Sequence, residues 1–167
     1  NGYPILTWEG KTKTVQPTEE REVKYVKSEK ITITVGDIGG SELSDNNSYQ
    51  YYLSTSKTEL IGGEWADYIS GEEFTIGVGK TGTYYLFVKR ISDNAGNISE
   101  EKGTLQQIEE EKYHRFGPYK FDNTAPEITE AEVENNKLKI EANDAHSGVS
   151  KYKYITSATR ITNPRIT

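Results

Sequence analysis

"GTYYLFVKRISDNAGNIS", residues 82–99, decides the fold. Its first half is the most strand-like run in the chain. Tyr84, Leu86 and Val88 alternate with other residues at the period of a strand, which predicts that these three point into a core. Its second half is dense in turn formers. Asp93, Asn94, Gly96 and Asn97 admit three readings: a tight turn, a cation site or a deamidation-prone loop. Gly96 suits a backbone conformation that a side chain resists. Asp93 and Asn97 are placed to close a bend through side-chain-to-backbone hydrogen bonds.

The same alternation recurs on both sides. "KITITV" (30–35) sets Ile31, Ile33 and Val35 on one face. "SYQYYLS" (48–54) is aromatic and β-prone. "EFTIGV" (73–78) sets Phe74, Ile76 and Val78 together, and "YHRFGPYKF" (113–121) reads as a last, irregular strand broken at Gly117-Pro118. Turn signals separate these runs at "GDIGG" (36–40), "SDNN" (44–47), "IGGEW" (61–65) and "VGKTG" (78–82). Short strands at this spacing predict an all-β sandwich or barrel. "LQQIEEEKYHRF" (105–116) has mild helical character and reads as an insertion before or within the last strand.

"FDNTAPEI" (121–128) is punctuation, because Pro126 restricts Ala125 to extended conformations. New alternating runs follow, "PEITEAEVE" (126–134) and "NNKLKIEAND" (135–144). Residues 138–161 can be laid beside residues 31–60, with Asp144 opposite Asp37 and Tyr154-Ile155-Thr156-Ser157 opposite Tyr52-Leu53-Ser54-Thr55. Three segments result: an N-terminal tail or linker over 1–22, a sandwich over 23–122 and an incomplete repeat over 123–167. The incomplete repeat has room for about three strands, and a half-sandwich leaves apolar surface wet at about 25 cal/mol per Å². It is therefore expected to pack on the first domain, to exchange strands with another chain or to be poorly held, and the native protein is expected to continue beyond Thr167.

Composition narrows the function. The 167 residues are 33% hydrophobic and 28% charged, with twelve tyrosines and a net charge of −6. That acidity disfavours a nucleic-acid partner, which needs a concentrated basic face. No apolar run reaches the roughly 18–20 residues of a membrane span. Cysteine is absent, which excludes disulfides, cysteine catalysis and thiolate metal sites. Methionine is absent too, even at residue 1, and the chain reads as an excised fragment or processed product.

Chemistry has few footholds. His114 and His146 are the two histidines, and both read as solvated loop residues. Neither a Gly-x-Ser-x-Gly elbow nor a His-Glu-x-x-His motif occurs. The carboxylates of "EEFT" (72–75) and "SEEK" (99–102) read as solvated edges rather than a glycosidase pair. "GVGKTG" (77–82) lacks the spacing of a phosphate loop and enters a strand. Asp93, Asn94, Asn97, Asp122, Asn123 and Asp144 carry the hard oxygens that calcium takes, though Asp and Asn are also ordinary turn formers. Trp8, Trp65, Tyr68 and the tyrosines of "YQYY" (49–52) are candidates for a sugar-stacking platform, against a plainer role in a thin core. Asn46-Asn-Ser and Asn97-Ile-Ser are glycosylation sequons. No catalytic, cofactor-binding or metal-binding residue is assigned.

In order along the chain, "YYLSTS" (51–56), "GTYYLFVK" (82–89), "SDNAGNIS" (92–99) and "DNTAPEI" (122–128) resemble the Ig-like repeats of bacterial, mostly Gram-positive, cell-surface proteins. The resemblance covers residues 25–160, and the stretch 103–116 departs from the usual short link. "NGYPILTWEG" (1–10) is similar to the closing segment of other bacterial surface repeats. The resemblance implies an immunoglobulin-like β-sandwich, an extracellular or cell-wall-anchored location, and a non-catalytic stalk or spacer role with adhesion as an added duty. Neighbouring repeats of the same chain are the implied partners, and Lys–Asn isopeptide bonds occur in some such proteins. A module that binds a host glycan or protein, or an accessory domain of a larger secreted carbohydrate-active enzyme, are the alternatives.

Overall fold

The computed structural model describes residues 4–10, 23–37, 40–99 and 113–162, the first of these stretches by backbone only. These residues are all-β, with no helix among them. The chain divides into two compact units, Asn1–Asn123 and Thr124–Thr167.

The first unit holds eight strands: β1 (Pro4–Gly10), β2 (Tyr25–Val26), β3 (Glu29–Asp37), β4 (Gln50–Ser54), β5 (Trp65–Asp67), β6 (Glu73–Ile76), β7 (Gly82–Lys89) and β8 (Tyr113–Phe121). They form a three-stranded sheet, β1-β3-β6, and a five-stranded sheet, β2-β8-β7-β4-β5. The two sheets share one core. Ile31, Ile33 and Ile76 from the first meet Leu53, Tyr84, Leu86, Val88, Phe116, Tyr119 and Phe121 from the second. A two-layer arrangement of this kind is sandwich-like: each sheet buries one face against the other.

Strand alternation places the core as the sequence predicts at Ile31, Ile33, Tyr84, Leu86 and Val88, all of them buried. β7 does more. Phe87 points the other way and is also fully buried, packing with Tyr52, Leu60, Trp65, Tyr85 and Tyr113 on the outer face of the five-stranded sheet. This second cluster is why so aromatic a strand fits a chain with few aliphatic residues.

One sequence expectation for the first unit needs correction. Val78 does not continue the inward face of β6. The strand ends at Ile76, Gly77 turns the chain at φ 85°, and Val78 is 72% exposed. Of the two readings of Tyr68, the thin-core one holds, at 5% exposure. The expected last strand is β8, and Tyr113–Phe116, which also close the helix-like stretch, pair with Leu86–Lys89 of β7; residues 105–112 lie outside the described residues. A further correction is in the second unit.

That unit is a hairpin of β9 (Glu127–Glu134) and β10 (Lys137–Asn143). Asn135 and Asn136 turn it, both at positive φ, which matches the favoured two-residue hairpin turn. The ladder pairs Leu138 with Val133, Ile140 with Ala131 and Ala142 with Ile128. Among the described residues the expected third strand is absent: residues 151–157 belong to no sheet, and Tyr152 and Tyr154 are 51% and 67% exposed. A strand needs an edge to pair with and a face to pack on. Tyr52 has both, in β7 and in the Trp65 cluster.

Candidate functional site

The loop after β7 is a structural lock. Asp93 Oδ1 accepts the backbone N–H of Ala95 at 3.0 Å and of Asn97 at 2.8 Å, while Oδ2 accepts the Asn97 side-chain amide at 2.7 Å. Gly96 sits at φ 87°. These donors, with the Asn97 amide foremost and the Ser41 hydroxyl assisting, hold the Asp93 carboxyl below the usual carboxylate range. The loop also interlocks with the β3–β4 connection. Asn47 donates its amide to the Ser92 carbonyl and accepts the Ser92 N–H, both at 2.8 Å. Asn94 donates to the Ser41 carbonyl at 2.9 Å.

Below the lock lies a buried pair that the sequence reading missed. His114, expected in solvent, is on β8 at 2% exposure, and its Nε2 lies 2.9 Å from the hydroxyl of the fully buried Ser99. Its position explains the error: it faces Val88 across the β7–β8 ladder. Ser99 Oγ also accepts the Ile91 N–H at 3.0 Å, and Ser99 N–H donates to the Ile91 carbonyl at 2.7 Å. Burial first, then the nearby Arg90 charge, holds the His114 pKa down to about 4. A Ser–His contact invites a nucleophile reading. Here the hydroxyl is sealed from any substrate and engaged by the backbone, so the pair ties the loop to β8.

The calcium candidates do not converge. Asp93 follows the C-terminal end of β7 and Asp122 follows the C-terminal end of β8. Because Gly82 pairs with Phe121 and Lys89 with Tyr113, the two aspartates stand at opposite ends of the ladder, on the order of 20 Å apart. Asn123 donates its side-chain amide to the carbonyls of Lys80, Gly77 and Lys27, at 2.6, 3.2 and 3.0 Å. Asp144, in the second unit, spends Oδ1 on the N–H groups of His146, Ser147 and Gly148. Among the described residues, no group of three or more His, Asp or Glu is placed to hold a metal.

The aromatic candidates are partly engaged. Trp65 carries the Lys89 ammonium 4.6 Å from its ring centre, and that lysine also donates to Gln50 Oε1 at 2.6 Å. Tyr52 is buried and accepts the Gly63 N–H on its hydroxyl at 3.0 Å. Tyr51 stacks on Phe74 with centroids 4.4 Å apart. Trp8 lies in β1, whose side chains are outside the described residues, as are Glu100–Lys102.

An open groove of about 470 Å³ runs between β4 and the end of β6, lined by Tyr51, Leu53, Glu64, Ile76, Val78 and Lys80 among others. Nothing in the sequence pattern signalled it, because its lining joins residues far apart in the chain, Tyr51 and Leu53 with Gly63, Glu64, Ile76 and Lys80.

No protein-family model, curated protein or solved structure matches this chain.

Proposed function

We propose that the first unit is an Ig-like sandwich from the repeat region of a secreted or wall-anchored bacterial surface protein. In this reading it is a non-catalytic spacer. Strand order supports the Ig-like assignment. Ig-like sandwiches set strands A, B and E against C, F and G, and in chain order β1, β3 and β6 take the first set of places and β4, β7 and β8 the second.

One observation supports the spacer role. β2, the strand that follows β1, pairs in parallel with β8, the last strand of the sandwich, through Tyr25↔Lys120 and Val26↔Phe121. The Asp122 N–H donates to the Val26 carbonyl at 2.9 Å, and Asn123 reaches Lys27. In a parallel pair, the entering end of one strand and the leaving end of the other lie at opposite ends. Tension applied just before β2 and just after β8 therefore loads these bonds together, in shear, instead of opening them one by one. Pulling through those two points tests the geometry, and antibody labelling of intact source cells tests the location; label confined to permeabilised cells would overturn it.

A glycan- or protein-binding module is the second reading, favoured by the groove beside Tyr51. A glycan array probed with the full chain distinguishes it, since a spacer gives no specific signal.

A further inference from the structure

We propose that the segment Lys151–Ser157 of one copy adds as a strand to the open edge of β6 in a second copy. Among the described residues β6 has β3 on one side only, and an open sheet edge accepts an extended segment through main-chain hydrogen bonds, with pockets reading alternate side chains. The groove borders that edge and offers Tyr51, Leu53 and Ile76 as an apolar floor. The donor segment belongs to no sheet and leaves Tyr152, Tyr154 and Ile155 half or more exposed. Its alternation sets Tyr152 and Tyr154 on one face and Lys151 and Lys153 on the other.

Charge selects the occupant. From residue 58 to 79 the chain has five acids, Glu59, Glu64, Asp67, Glu72 and Glu73, and no base, with Lys57 and Lys80 bounding the run and Lys80 lining the groove. All five are exposed. From residue 145 onward the chain has Lys151, Lys153, Arg160 and Arg165, and no acid. With Tyr152 and Tyr154 turned into the groove, Lys151 and Lys153 lie on the outer face beside Glu73, which already pairs with Lys30 at 3.0 Å. The donor and acceptor surfaces differ, so the contact is head-to-tail and propagates along a line of copies.

The test is association of the full chain, followed by sedimentation at low and high salt, with hydrogen exchange read at each peptide. The expected result is self-association with a dissociation constant of about 10 μM to 1 mM, as for small transient interfaces, weakened by salt. Residues 151–157 and 73–76 gain protection together as concentration rises. K151E/K153E or E73K weakens association by about tenfold or more, and the combined three-substitution chain recovers it. Circular dichroism of each variant checks that it folds. A monomer at all concentrations, association indifferent to both swaps, or protection of 151–157 that does not depend on concentration overturns the proposal.

Discussion

Ser99 Oγ and His114 Nε2 lie 2.9 Å apart in a place closed to solvent, on a loop and a strand that are fifteen residues apart in sequence. The contact makes the loop after β7 part of the sandwich core. The burial of His114, with the Arg90 charge nearby, also makes stability depend on pH. The folded pKa of about 4 is below the ordinary 6.5, so the unfolded chain binds the proton more readily. Stability is fully present above about pH 6.5 and is lost as pH falls toward 4, by about 3 kcal/mol in all. Denaturant melts across this window are expected to show that slope, and His114→Gln to remove most of it. An unchanged slope in the variant would show that other groups carry it.

Tyr68 presents the opposite case. Its hydroxyl is buried with no hydrogen-bond partner among the described residues, and burial pushes its pKa up. An unsatisfied buried hydroxyl costs about 1–3 kcal/mol. Tyr68→Phe is expected to raise stability by about 1 kcal/mol, read as a higher melting midpoint. A loss of stability would mean that the hydroxyl has a partner after all.

Gly77 is tightly constrained. A Cβ at this position would come 2.2 Å from the Phe121 ring, and φ is 85°. Gly77→Ala is expected to cost about 2–4 kcal/mol through overpacking and backbone strain. Gly79→Ala has open space at φ 70° and is expected to cost only about 1 kcal/mol. Thermal melts of the two variants give the comparison; equal losses would count against the Phe121 contact.

Asp93 accepts donors through both carboxylate oxygens and Asp144 through Oδ1, and among the described residues no group of three or more His, Asp or Glu is placed to hold a metal. Melting midpoints with calcium and with chelator are therefore expected to coincide. A calcium-dependent rise of several degrees would require a rearranged loop.

Alternation made β3, β4, β7 and β8 legible, since Ile31, Ile33, Leu86 and Val88 mark a period of two that only a strand satisfies. It failed where one residue changed the geometry. Gly77 ends β6, so Val78 goes to solvent although it continues the pattern. Composition misled for His114, because a polar tip says nothing of which strand face the residue occupies. The Tyr152–Thr156 run has strand-like chemistry but no paired edge among the described residues, and pairing is a property of the partner. The groove, the Ser99–His114 pair and the hold on Asn123 all depend on residues far apart in the chain. No local pattern encodes such meetings.

The shear geometry of β2 against β8 is the central claim, and force measures it directly. The chain has no cysteine, so Lys24→Cys and Thr124→Cys place unique handles just before β2 and just after β8. Stretching between them is expected to release about 35 nm of chain in one step. Asn123→Ala, which removes the hold on Lys27, Gly77 and Lys80, is expected to lower the force of that step. Gradual lengthening at low force, unaffected by the loss of Asn123, would contradict the account.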